Sequence, residues 1–537
     1  MPTITFHPSG KTVTIPEGTR LSRACREAGL HLSVPCGEKG ICGKCRIRIR
    51  AGATPADTRQ KAFLPRELLD SGWRCACLVD VRDDLVVDEP DAGGDGDCIV
   101  TGFLVRDPDG GCDGGGLGLA VDLGTTTLAA ALCDLRSGAV LASAGSANPQ
   151  AAYGDDVVSR LEQAVGKPEH AADMRRLAMG AIEVLAARLV ADAGGGAVLD
   201  RIAVGGNTVM QHLLLGLDIG PLAVAPFASP FTDAVVVEAD AAGWTGEGKP
   251  RLLVLPAIGS YVGGDVTAGL LAYRVDELPG NTLFMDIGTN GEIVLAAGGR
   301  LYACAAAAGP AFEGARISRG MRARIGAIAG VGLGPEGELE TMVLGGAPEA
   351  GICGTGLLDA AATLLDSGVM DDSGRLLEQD EVEELGLSCD MISRVGRNDS
   401  GLFFRLEKEV GMAGGVALTQ RDLRELQLAK GAMAAGARML LAEAGIAAEE
   451  LDAVLLAGGF GCRLNPASAL RIGLLPRGVA PDRVRAVGNA SLAGTRLYLL
   501  SARERERADA LRRKVAYVEL SGREDFASIF AEEMLFP

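Results

Sequence analysis

The spacing of apolar and polar positions divides the chain into two textures. Thr3-Ile4-Thr5-Phe6 and Val13-Thr14-Ile15 alternate with period two, and Pro8-Ser9-Gly10-Lys11 lies between them, which predicts a β-hairpin. Leu21, Ala24, Cys25 and Ala28 recur at helical spacing, predicting a helix over Thr19 to Gly29 that stops at the glycine. Arg46-Ile47-Arg48-Ile49-Arg50 alternates again as a strand. From Leu117 onward, short apolar runs alternate with Ala/Leu-rich stretches, the pattern of α/β folds. Between the two textures, Asp88 to Gly118 is rich in Gly and Asp and has too little apolar surface to fold by itself. The expected organisation is a small domain at 1–87, a flexible linker at 88–117 and a large domain at 118–537.

The large domain contains an internal repeat. Leu119-Ala120-Val121-Asp122-Leu123-Gly124-Thr125-Thr126-Thr127 resembles Leu283-Phe284-Met285-Asp286-Ile287-Gly288-Thr289-Asn290-Gly291, each an apolar strand running into an Asp-x-Gly-Thr turn. A second apolar strand follows each turn, and a third begins at Val140 or Arg300. The copies lie 164 residues apart, too far for a solenoid, whose repeat periods are about 20–50 residues. They predict two similar lobes, about 118–280 and 281–500, with a C-terminal extension.

Composition narrows the function. The chain has 537 residues and a net charge of −18, yet Met1 to Ala76 carries 13 Lys/Arg against 6 Asp/Glu, leaving about −25 for the rest. An acidic chain without a long basic stripe does not suit sequence-independent nucleic-acid binding, which depends on cationic side chains displacing counterions. No window reaches 18 uncharged apolar residues, so no membrane partner is expected. The first residues lack a basic flank and an apolar core, so the expected location is cytoplasmic. Of 13 cysteines, six fall within the first 77 residues, which reads as one dedicated site in a reduced compartment.

That site is Cys36-x5-Cys42-x2-Cys45, followed about thirty residues later by Arg74-Cys75-Ala76-Cys77. Four thiolates suit zinc or an iron–sulfur cluster. Only one Cys-x2-Cys pair is present, and the remainder is a long glycine-rich loop in which Gly37, Gly40 and Gly43 can turn backbone N–H groups toward sulfur. The loop resembles that of adrenodoxin-like ferredoxins, one residue longer than the plant-type spacing. That resemblance implies a 2Fe–2S cluster on Cys36, Cys42, Cys45 and Cys77, with Cys75 at an apolar position. Cys25, Cys75 and the scattered later cysteines read as small buried side chains. His7, His31, His170 and His212 have no metal-ligand spacing, and the densely charged Ala502 to Arg513 reads as a solvated helix.

An Asp-x-Gly-Thr turn between strands offers N–H groups and hydroxyls to phosphate, and its carboxylate can hold hydrated Mg²⁺. No Walker sequence competes, because Gly10-Lys11-Thr12 has Thr5 where the first glycine belongs. Val454-Leu455-Leu456-Ala457-Gly458-Gly459 is an apolar strand ending in bare backbone against which an adenosine could lie. The three elements together resemble the actin-like ATPases. Fused behind a 2Fe–2S loop, they resemble the reductive activators of corrinoid proteins. That likeness also includes Gly206-Asn207-Thr208, Ala311-Phe312-Glu313-Gly314, Gly351-Ile352-Cys353-Gly354-Thr355-Gly356 and Gly488-Asn489-Ala490-Ser491.

The resemblance implies a ferredoxin-like β-grasp domain joined to a two-lobed, RNase H-like ATPase that converts Co(II) to Co(I) on a corrinoid protein of a methyltransferase system. It implies an electron donor, ATP and Mg²⁺ as further partners. Asp122 and Asp286 are expected to position the metal. Gly124, Thr125, Thr126, Gly288, Thr289 and Asn290 are expected to hold phosphates, Gly458 and Gly459 to border adenosine, and Asp265 to orient the attacking water. A homodimer through the ATPase domain is a further expectation. The rival readings are a small-molecule kinase with a regulatory cluster and a non-catalytic redox sensor that recruits partners.

Overall fold

The computed structural model describes residues 1–537 apart from 31, 33, 35, 41, 42, 53, 54, 65, 91–100, 399, 400, 408–414 and 462. In the small domain, strands β1 (Thr3–His7), β2 (Thr12–Thr14), β3 (Arg46–Ala51), β4 (Trp73–Cys75) and β5 (Leu85–Asp88) form one sheet in the order β2-β1-β5-β3-β4. The hairpin pairs Thr3 with Thr14, as the period-two pattern requires. The helix Leu21–Glu27 buries Leu21, Ala24 and Cys25 in a core with Ile4, Phe6, Ile47 and Val87. A mixed sheet with one helix packed on it is the β-grasp arrangement expected of this segment.

The repeat becomes two sheets of matching topology. In the first lobe, β6 (Leu117–Leu123), β7 (Thr127–Asp134) and β8 (Val140–Ala147) run antiparallel, and β9 (Leu199–Gly206) joins parallel to β6. β10 (Val235–Glu238) and β11 (Arg251–Val254) extend the edge, giving β8-β7-β6-β9-β11-β10. In the second lobe, β12 (Thr282–Ile287), β13 (Gly291–Ala297) and β14 (Arg300–Ala306) run antiparallel, with β15 (Ala453–Ala457) parallel to β12 and β16 (Val484–Gly488) beyond it. β17 (Val515–Tyr517), from the C-terminal extension, pairs with β14 and closes the order β16-β15-β12-β13-β14-β17.

Helices Gly264–Tyr273 and Ala490–Leu500 share one core with side chains from both sheets: Ala120, Ala129 and Ala203 from the first, Phe284, Val294 and Leu455 from the second. The helices touch backbone to backbone, because a Cβ on Gly494 would sit 1.8 Å from the Ala268 carbonyl oxygen. This shared core holds the two Asp-x-Gly-Thr turns to one cleft. Asn489 caps the second helix by accepting from the Leu492 N–H at 2.7 Å.

Two regions differ from the reading of their composition. Helix Ala502–Lys514 is not solvated all round: Ala508 and Leu511 are buried, and Glu504 is fully buried. Glu504 accepts from both terminal guanidinium nitrogens of Arg274, 230 residues away in sequence, with Arg274 also 3.0 Å from Asp109. Residues 101–116, within the stretch read as a linker, run along the large domain. Phe103 and Cys112 pack on its central core, Asp113 bonds Arg201 and Arg505, and Arg496 donates to the Arg106 carbonyl. Cys25, Cys75, Cys133, Cys304 and Cys353 are buried as expected, whereas Cys389 is exposed; Cys98, Cys462 and His31 lie outside the described residues. Among the described residues, no helix is long and apolar enough to cross a membrane.

The close helix contact yields a paired expectation. Gly494→Ala forces the helices apart and destabilises by about 1–3 kcal/mol. Gly180→Ala, in helix Pro168–Asp192 with open space around it, stabilises by about 0.5–1 kcal/mol. Denaturation midpoints moving in opposite directions for the two variants check this packing.

Candidate functional site

The two turns face one another across a cleft of about 320 Å³ between the lobes. Each turn is short because its flanking strands pair up to it: Leu123 opposite Leu128 in the first lobe, Ile287 opposite Gly291 in the second. The cleft is lined by Asp122, Gly124, Thr125 and Thr126 from the first turn and by Asp286, Gly288, Thr289 and Asn290 from the second. Asp265, at the start of helix Gly264–Tyr273, and Gly458 with Gly459, after β15, complete the set expected from sequence. All eleven cleft residues singled out there are therefore brought to one place.

Helix caps hold the first turn from behind. Asn489, while capping its own helix, donates Nδ2 to Asp122 Oδ2 at 2.8 Å, and Ser491 Oγ donates to Asp122 Oδ1 at 2.7 Å. Asn207 caps helix Thr208–Leu215 and donates Nδ2 to Thr125 Oγ1 at 2.8 Å. The fully buried Arg160 donates Nη2 to the Thr125 carbonyl at 2.5 Å. On the other side, Gly458 lies so close to Asp286 that a Cβ would meet Oδ1 at 2.4 Å, while Gly459 faces open space. Phe312 and Phe460 stack at 4.9 Å on the cleft wall.

In the small domain, Cys45 Sγ lies 3.3 Å from Cys77 Sγ, both buried, and Cys36 is near enough for its charge to act on Cys77. Cys42 lies outside the described residues. Among the described residues, no three Cys, His, Asp or Glu side chains close on one point as a finished metal site. The local structure nevertheless fits a cluster. Gly37, Gly40 and Gly43 all have positive φ, 57°, 68° and 65°, the conformation that turns successive amides to one side. The neighbouring sulfurs and burial push the thiols of Cys45 (up to about 12) and Cys77 well up, and a cationic centre among them would favour the thiolates. Cys75 is buried beside them, its N–H donating to Gln60 Oε1 at 3.1 Å.

Residues 4–82 match the 2Fe-2S iron-sulfur cluster binding domain, 117–278 the RACo middle region, and 280–537 the C-terminal domain of RACo, the ASKHA domain. A solved reductive activator for corrinoid, iron-sulfur protein is 31% identical, with a TM-score of 0.69, over 100% of this chain and 98% of that one. The chain belongs to the family of reductive activators of corrinoid proteins. The corrinoid activation enzyme RamQ of Eubacterium limosum is 28% identical over 98% of this chain and 97% of its own length. A [Co(II) methylated amine-specific corrinoid protein] reductase of Methanosarcina barkeri is 29% identical over 73% of this chain and 71% of its own.

In this activator the cleft holds more carboxylate than the sequence reading assigned. Glu292, on β13 directly opposite Asp286, is 5% exposed and lines the cleft. Desolvation raises the carboxyl pKa values of Asp122, Asp265, Asp286 and Glu292, and mutual repulsion adds to it for the last three. Such a group favours a divalent cation among the oxygens. Glu292 carried a signal, being the single charged residue in the all-apolar run Gly291–Ala297. Glu313 is the other addition: one of its oxygens accepts from Thr126 Oγ1 at 2.7 Å and from Thr289 Oγ1 at 2.8 Å, tying the two turns together.

Cys75 and Cys77 both lie against Cys45, and it is the ferredoxin-type loop pattern that points to Cys77 as the fourth ligand. Cys77→Ala is expected to abolish the visible iron–sulfur absorption of anaerobically purified protein, whereas Cys75→Ala retains it. Absorption spectra with iron and sulfide counts on both variants check the assignment.

Proposed function

We propose that this protein uses ATP to drive single electrons from its 2Fe–2S cluster onto the Co(II) corrinoid of a partner protein in a methyltransferase system, restoring Co(I). The observation that carries this reading is the joining of two sites in one chain similar over its whole length to a reductive activator. One is a ferredoxin-type cysteine loop, the other a cleft with a phosphate-type turn from each lobe. In balance, a donor gives one electron to the protein and the protein gives it to Co(II), while ATP and water become ADP and phosphate.

When bound, the cluster supplies a one-electron carrier, which for plant-type ferredoxins sits near −400 mV. Co(II) reduction to Co(I) lies below that, and each ~59 mV of shortfall costs about a factor of ten in a one-electron equilibrium. Coupling to ATP hydrolysis is the reason for the second site. Asp122, fixed by Asn489 and Ser491, and Asp286, set by Gly458, would hold Mg²⁺, which would neutralise the phosphate charge. The N–H groups and hydroxyls of Gly124, Thr125, Thr126, Gly288, Thr289 and Asn290 take the phosphates. Gly459 and the Phe312–Phe460 stack border the adenosine. Asp265 would orient the attacking water, and Glu292 would add negative charge beside the carboxylates that hold the metal. The basic surface of residues 1–76 favours an acidic electron donor.

An anaerobic assay of a Co(II) corrinoid protein with reductant, read by the absorption of Co(I), tests the proposal. Co(I) is expected only with ATP, and Asp286→Asn is expected to cut the ATP-dependent rate by about 10²-fold or more while leaving the cluster absorption intact. Equal reduction without ATP, or a fully active Asp286→Asn protein, contradicts it.

A further inference from the structure

The cluster loop does not stand apart from the ATPase. On its flank toward the first lobe, Gln163 Nε2 donates to the Gly37 carbonyl at 2.9 Å, and Lys39 Nζ meets Glu162 Oε2 at 2.5 Å. Arg26 donates to the Ala152 carbonyl at 2.8 Å and lies 4.4 Å over the Tyr153 ring. On its other flank, Lys44, next to Cys45, donates Nζ to the carbonyls of Ile317 at 2.6 Å and Gly320 at 3.2 Å in the second lobe. The loop that carries the cysteines is thus a strap from one lobe to the other.

Both attachments lead back to the nucleotide turns. Helix Val157–Ala164, which presents Glu162 and Gln163, also carries Arg160, bonded to the Thr125 carbonyl of the first turn. The loop that accepts Lys44 begins with Glu313, whose carboxylate occupies the hydroxyls of Thr126 and Thr289. Between them, Gly314 packs on the backbone of Gly320 and Met321 at 2.6–3.0 Å from where a Cβ would be, so the two ends of this stretch are closely coupled. Ser318 donates its N–H and hydroxyl to Asp422 of helix Gln420–Ala444, a single attachment about which the stretch can turn.

We propose that the surface formed by 151–163 and 317–320 is the resting dock of the chain's own cluster domain, and that nucleotide binding releases it. The inference rests on the reading of the cleft as the ATP site. A phosphate entering between the turns competes with the Glu313 carboxylate for the same two hydroxyls and repels it, both being anionic. Glu313 withdraws, the Ile317–Gly320 carbonyls shift with it, and Lys44 loses its two acceptors. The docked residues Gly37, Lys39 and Lys44 adjoin Cys36 and Cys45 in sequence, so docking covers this part of the loop and a corrinoid partner reaches it only after release. Lys44 and Glu313 are positioning residues in this scheme, acting through the loop and the turns.

Hydrogen–deuterium exchange of the anaerobic holoprotein, with and without a non-hydrolysable Mg-ATP analogue, reads both sites together. The turns 122–127 and 286–290 are expected to slow, reporting nucleotide bound. Segments 36–48 and 151–163 are expected to speed up several-fold. Lys44→Met with its cluster absorption retained is expected to show the faster exchange without nucleotide, and so is Glu313→Ala. If Lys44→Met loses its cluster, Gln163→Ala on the other flank serves the same comparison. Protected turns with unchanged exchange at 36–48 and 151–163 overturn the release while leaving the ATP site standing. Unprotected turns overturn both.

Discussion

The contact on which the remaining architecture depends is the backbone-to-backbone meeting of helices Gly264–Tyr273 and Ala490–Leu500 between the two sheets. Each sheet is anchored to this pair, and each helix begins at the cleft. Asp265 opens the first, and Asn489 and Ser491 open the second, where they hold Asp122. Packing and site geometry are therefore the same fact here. A wider helix spacing would loosen the core and also move the carboxylates relative to one another.

Those carboxylates carry an electrostatic debt that the protein alone does not settle. Asp122, Asp265, Asp286 and Glu292 gather where solvent is scarce, and among the described residues the cleft supplies them hydroxyls and amides plus few cations. The thiols of Cys45 and Cys77 are in the same position in the small domain. Both centres gather groups that a metal ion would make favourable in their charged form.

The parts of the site built by local sequence were legible in it. A repeated Asp-x-Gly-Thr turn needs only its two flanking strands, so Asp122 and Asp286 could be paired from the repeat. The cysteine loop likewise carries its spacing in ten consecutive residues. What escaped was set by distant partners. Glu292 faces Asp286 only once the hairpin register is known; the equivalent position of the first repeat, opposite Asp122, is Ala129. Glu504 looked like one charge in a solvated helix, because Arg274 lies 230 residues upstream. Glu313 belonged to a quoted motif, yet its contact with both threonines exists only when the lobes face one another.

The cluster loop contacts both lobes, and the proposed release couples electron delivery to nucleotide occupancy. The most direct measurement is a single turnover without external reductant: pre-reduced protein mixed with a Co(II) corrinoid partner, following the cluster and cobalt absorption bands together. The account predicts that both remain unchanged until Mg-ATP is added, and that cluster oxidation and Co(I) formation then proceed at one rate. Cluster oxidation by the partner at the same rate with and without Mg-ATP would contradict it.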